Sequence, residues 1–101
     1  MEERLAHCLL IANVLVADGM MGDHERAFLG NVMAELGLDE EARRRVSDLD
    51  GLEDAQRVVA GFSEERRREV LDMLLAAVLV DGKVSPHERA MIEKITHAIG
   101  L

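Results

Sequence analysis

The chain has no tryptophan and no tyrosine, and only two phenylalanines, Phe28 and Phe62, among its 101 residues. A core must therefore be built from Leu, Val, Ile, Ala and Met, a palette that packs between helices better than across sheets. A single cysteine, Cys8, excludes an internal disulfide framework and any zinc site made of several thiolates. Its place inside an apolar run reads as a buried structural thiol. Positive charge is scarce: 12 basic residues face 20 acidic ones, a net charge of −8. Such a chain is repelled on average by a phosphate backbone, so no nucleic-acid partner is expected. Long apolar runs are missing too. The longest, 8–17 and 70–80, are too short to span a bilayer, and the second contains Asp72. The opening Met-Glu-Glu-Arg lacks the basic start of a signal peptide. A cytoplasmic location without membrane insertion is the expectation.

What is present suffices for a folded domain. Hydrophobic residues make up 49% of the chain and charged residues 32%, a mixture that can bury a core and keep a solvated surface. The length fits one domain. Two arginine runs, 43–45 and 66–68, are interleaved with Glu40, Glu41, Glu64, Glu65 and Glu69. On helices these read as mixed ion-pair faces rather than an anion site.

Shifted by 63 residues, the sequence matches itself without a gap. Residues 18–27 read Asp-Gly-Met-Met-Gly-Asp-His-Glu-Arg-Ala, and residues 81–90 read Asp-Gly-Lys-Val-Ser-Pro-His-Glu-Arg-Ala. Both copies then close on Gly-Leu, at 37–38 and 100–101. That is an internal duplication. It divides a single domain into repeat one (1–38), connecting helices (39–63) and repeat two (64–101).

Each repeat parses as helix, tight turn, helix. The first helices are predicted over about 3–17 and 64–80, apolar around most of their circumference near the C-terminal end, as central helices are. The second helices, near 23–36 and 86–99, carry a narrower stripe: Phe28, Leu29, Val32, Met33 and Leu36, then Met91, Ile92, Ile95 and Ile99. Gly19 and Gly82 stand where a helix C-terminus wants a left-handed residue. Ser85-Pro86-His87-Glu88 is an N-terminal signature of cap, first-position proline and capping-box glutamate, and Gly22 or Asp23 takes the cap in copy one. Asp39 should cap a short helix at about 40–47, and a turn at Asp50-Gly51 should lead to another at about 52–60. The fold class is all-α, a compact bundle of about six helices with two pseudo-symmetric helix–turn–helix repeats, either orthogonal or with a four-helix core.

The duplicated turns are the only candidates for a site. Asp18 and Asp81 fall at helix C-termini, where a carboxylate opposes the macrodipole. Glu25 and Glu88 follow seven residues later, in the first turn of the next helix. One reading is capping alone: each Asp folds across its turn onto backbone N–H groups, and each Glu completes a capping box. The other is that Asp18, Glu25, Asp81 and Glu88 converge on a divalent cation. His24 and His87 precede the glutamates but point about 100° away from them, which makes them secondary ligands; if they ligate, zinc or manganese becomes plausible over calcium. The turn resembles the second half of an EF-hand loop. Its first half fails, because Val14, Val16, Ala77 and Leu79 occupy the positions that should carry carboxylates.

Enzyme chemistry finds no footing. There is no Glu-x-x-His pair for a di-iron bundle, no His-Glu-x-x-His zinc signature and no glycine-rich phosphate loop. Ser47, Ser63 and Ser85 sit at expected caps or loops. No cofactor is implied beyond the cation.

The apolar helix, Asp-Gly, short turn, Glu and amphipathic helix ending in Gly-Leu resemble the TerB-like domains. These are named for bacterial tellurite-resistance proteins and also occur within larger proteins, including membrane-anchored J-domain co-chaperones. The likeness is clearest over 70–101, through Val80-Asp81-Gly82-Lys83-Val84-Ser85 and Glu88, and recurs at Ala17-Asp18-Gly19 and Glu25. It departs at Met21-Gly22, where a branched apolar residue and Ser/Thr are usual, and the chain is short for a stand-alone member. The resemblance implies a non-catalytic module of a bacterial stress response, with metal-linked function centred on Asp18, Glu25, Asp81 and Glu88. The alternative is a structural interaction or dimerisation domain without metal. A protein partner or a second copy is expected either way.

Overall fold

The computed structural model describes residues 1–19, 21–80 and 82–101. These form six helices and no strand: α1 (Glu3–Leu15), α2 (Asp23–Glu35), α3 (Glu40–Ser47), α4 (Leu52–Ala60), α5 (Glu64–Val78) and α6 (Pro86–Ala98). The all-α expectation and the order of elements hold. Four ends fall short of the predicted bounds by one or two residues. In α1 and α5 the apolar pattern runs on through Val16, Ala17, Leu79 and Val80, but the backbone there tightens into three-residue turns. Gly19 N–H donates to Val16 O at 2.9 Å, and Gly82 N–H donates to Leu79 O at 3.0 Å.

The helix starts follow their caps. Asp39 Oδ1 accepts from Ala42 N–H at 2.8 Å, and Ser63 Oγ accepts from Arg66 N–H at 3.2 Å. Each satisfies an N–H that the first turn leaves without an intrahelical partner, worth about 1 kcal/mol. The helix ends close by bonds that reach back five residues: Leu38 N–H to Met33 O at 3.1 Å, Asp50 N–H to Arg45 O at 3.1 Å, and Leu101 N–H to Thr96 O at 3.0 Å.

α1 is the hub, in contact with each of the other five helices and most extensively with α4. Leu9, Leu10, Ile11, Val14 and Leu15 are fully buried. Each contributes about 1.5–3 kcal/mol on removal from water. Leu74 and Val78 of α5, and Ile95 and Ile99 around α6, complete the same core. Cys8 is wholly enclosed, and burial pushes its thiol up to about 11, with Arg43 pulling weakly the other way. It is a filler of space, as expected.

α5 departs from the central role that its composition suggested. Leu75, Leu79 and Val80 are 41%, 58% and 36% exposed. The reason is the supply of cover. Among the described residues α3 and α4 pack chiefly on α1, and α5 meets mainly α1, α6 and α2.

Two arginines each tie a long helix to the end of the helix that follows its turn. Arg4 Nη1 donates to Leu36 O at 2.9 Å, and Arg67 Nη1 donates to Ile99 O, also at 2.9 Å. Donor and acceptor are each displaced by 63 residues between the two bonds. In both, a cation from a first helix satisfies a carbonyl at the end of a second helix, where the macrodipole favours positive charge. Arg66 of α5 reaches Glu3 of α1 at 2.9 Å and lies 4.0 Å over the Phe62 ring.

Candidate functional site at the two acidic turns

Each turn begins with a glycine whose backbone is left-handed, Gly19 at φ +103° and Gly82 at φ +82°. A side chain at either position would be strained, because its Cβ crowds the following carbonyl. The reversed direction of the chain then delivers a glutamate to the third position of the next helix.

Both glutamates turn inward. Glu25 is 4% exposed and Glu88 3%, the two buried carboxylates of the described chain. Glu25 Oε1 accepts from Gly22 N–H at 2.9 Å. Glu88 Oε1 accepts from Ser85 N–H at 3.0 Å, and Ser85 Oγ accepts in return from Glu88 N–H at 3.1 Å. Copy two is therefore a complete capping box, with Pro86 at the first helical position. Copy one is half of one, because Gly22 has no side chain with which to answer. The sequence departure at Gly22 thus has a definite cost, one cap bond at the start of α2.

These bonds engage one oxygen of each glutamate. The second oxygen of Glu88, Oε2, is buried without a hydrogen-bond partner among the described residues. Glu25 makes a further interaction beyond its cap bond. A carboxylate oxygen withdrawn from water without a donor costs about 1–3 kcal/mol or more, so its retention at Glu88 is the unusual feature of this turn.

The other predicted ligands divide. Asp18 is exposed, three residues beyond the end of α1. Asp81 lies outside the described residues. His24 and His87, each the second residue of its helix, are exposed. Among the described residues no three His, Cys, Asp or Glu side chains come together as a metal-ligand cluster.

One feature beside copy one escaped the sequence reading. Val16, Gly19, Met21, Leu29, Met33, Val46 and Leu49, with Arg26 at the rim, line a cleft of about 360 Å³ between the first turn, α2 and the end of α3. Leu49 there is a non-glycine residue at φ +55°. Leucine carries no sequence signal for a left-handed helix end, which normally falls to Gly or Asn.

Comparison with known proteins bears on the second of these turns. The family model of the tellurite resistance protein TerB matches residues 47–101, from the end of α3 through α4, α5 and α6. No curated protein and no solved structure matches the chain. The matched span is more than half of the sequence and contains the second acidic turn with its complete capping box. The chain belongs to the TerB family.

Proposed function

We propose that the protein is a non-catalytic TerB-like module that binds a divalent cation at its acidic turns, within a bacterial, cytoplasmic stress response of the tellurite-resistance kind. The observation that carries this reading is Glu88. Its carboxylate is almost wholly buried, yet Oε2 meets no donor among the described residues. A hard cation with oxygen ligands is the chemical partner such an oxygen lacks. Asp81, seven residues before Glu88 in the sequence, is the proposed second ligand, and Glu25 with Asp18 the corresponding pair in copy one. Family membership supports the module, and the buried carboxylate supports the cation.

The capping bonds of Glu25 and Glu88 favour a second reading, in which the turns only start helices and the domain acts by binding protein. Thermal melts separate the two. Mg²⁺, Ca²⁺, Mn²⁺ and Zn²⁺ are each added to chelator-treated protein, and unfolding is followed by far-UV circular dichroism. A ligand that binds only the folded state stabilises it by about 2.7 kcal/mol at a hundred times its dissociation constant. One of these ions should raise the melting temperature, and Glu88→Gln should erase the rise while still folding. No ion-dependent shift in the parent protein refutes the cation reading and leaves the interaction domain.

A further inference from the structure

The exposed side of α5 is not uniform. Helical geometry places Glu65, Glu69 and Asp72 along the N-terminal part of one face of α5 and Leu75 along its C-terminal part, and Leu79 and Val80 follow in the turn just past the helix end. All six are exposed. Arg68, on the same face, is tied to Glu64 at 3.1 Å. From Glu65 to Val78 the helix rises about 20 Å, with the acidic residues along its first half and the apolar ones along its last turn and the turn that follows.

The 63-residue register shows how this chain treats the same face elsewhere. The positions corresponding to Glu69, Asp72 and Leu75 are Ala6, Leu9 and Ala12 of α1, all fully buried. Those corresponding to Leu79 and Val80 are Val16 and Ala17, both half-buried. In copy one the helices packed on α1 include the short amphipathic α3 and α4, with α4 the most extensive neighbour. In copy two the apolar half of the face is retained and no helix among the described residues covers it, Glu69 and Asp72 stand where copy one has Ala and Leu, and Glu65 stands where copy one has the exposed Glu2.

We propose that this face of α5 docks an amphipathic helix of a partner protein, with an apolar stripe over Leu75, Leu79 and Val80 and a Lys/Arg-bearing stripe over Glu65, Glu69 and Asp72. Charge chooses this occupant over a second copy. Two α5 faces laid antiparallel set acidic halves against apolar halves, and laid parallel they set acid against acid. Each chain also carries a net charge of −8. A cationic amphipathic helix satisfies both halves at once, with ion pairs that steer and a desolvated apolar centre that holds. The proposal is independent of the cation site.

The test uses the full chain in chelator-containing buffer and a dye-labelled synthetic peptide of about 16 residues. The peptide carries Leu at helical spacing on one half of a face and Lys on the other half. Its anisotropy should report saturable binding in the micromolar range that weakens with added salt. Leu79→Asp and Asp72→Lys should each weaken binding about tenfold while their melts match the parent, since both positions are exposed. Three outcomes overturn the proposal. The Lys peptide fails to bind, a peptide with Glu in place of Lys binds equally well, or sedimentation finds a dimer that Leu79→Asp dissolves.

Discussion

Arg67 offers a sharp test of how the start of α5 is tied to the end of α6. Its Nη1 donates to Ile99 O at 2.9 Å and, more weakly, to Gly100 O at 3.4 Å. The side chain is half-buried, and its Nε has no partner among the described residues. Arg67→Met keeps most of the aliphatic stem and removes the charge. The loss is one good charge-assisted bond, about 1.5–3 kcal/mol, plus about 0.3–1 kcal/mol of interaction with the end of α6. Against it stands relief of the unpartnered buried Nε, about 1 kcal/mol. A net destabilisation of about 1–3 kcal/mol follows, which in a domain of this size lowers the melting temperature by roughly 4–24 °C. Arg4→Met removes the bond at the corresponding position, to Leu36 O. Arg4 is exposed and shared with Glu2, so water and its neighbour compensate and the shift should be smaller. Far-UV circular dichroism is the assay, since the chain has no Trp or Tyr to report by fluorescence. An Arg4 effect equal to or larger than that of Arg67 refutes the argument that burial amplifies the clamp.

Two further outcomes follow from local geometry. Gly22→Ser should raise stability by about 0.5–1 kcal/mol, because Gly22 already has extended backbone (φ −72°, ψ 168°) and serine restores the cap bond that copy two possesses. The added Cβ would stand 3.4 Å from Glu25 Oε1, ordinary contact, and a lowered denaturation midpoint would contradict this account. His7 is held below its ordinary value of 6.5 by burial, with Nε2 lacking a partner among the described residues. The unfolded chain then binds the proton more readily than the folded one, so stability is full above about pH 6.5 and falls as acid is added. Melts at descending pH should show this decline, and His7→Gln should flatten the part that begins near 6.5.

Much of the fold was legible because it rests on short-range rules. Asp39, Ser63 and Ser85 mark helix starts by side-chain chemistry that needs only three residues of context, and each accepts the bond its position predicts. The start of α3 was readable for the same reason, and that of α4 from the Asp50-Gly51 turn, where Gly51 takes the left-handed backbone. The inward turn of Glu25 and Glu88 was legible as half of a capping box, though not its depth of burial. The arginine runs were only partly readable. Arg66 and Arg68 do form ion pairs, but Arg67 and Arg43 donate instead to backbone carbonyls of Ile99 and Leu38. Those partners are fixed by packing at chain separations or angles that local spacing does not express.

By itself the sequence determined the helical class, the duplicated turns and the family, since periodicity, caps and motif are written in consecutive residues. Only tertiary structure decided which of two helices with apolar C-terminal halves became enclosed. α1 carries two charged residues in thirteen and α5 seven in fifteen, but the C-terminal half of each is apolar; the chain supplies one pair of connecting helices, and α3 and α4 pack on α1. One helix is enclosed and its counterpart keeps an apolar flank in water, because cover is a property of the whole packing and not of either stretch alone.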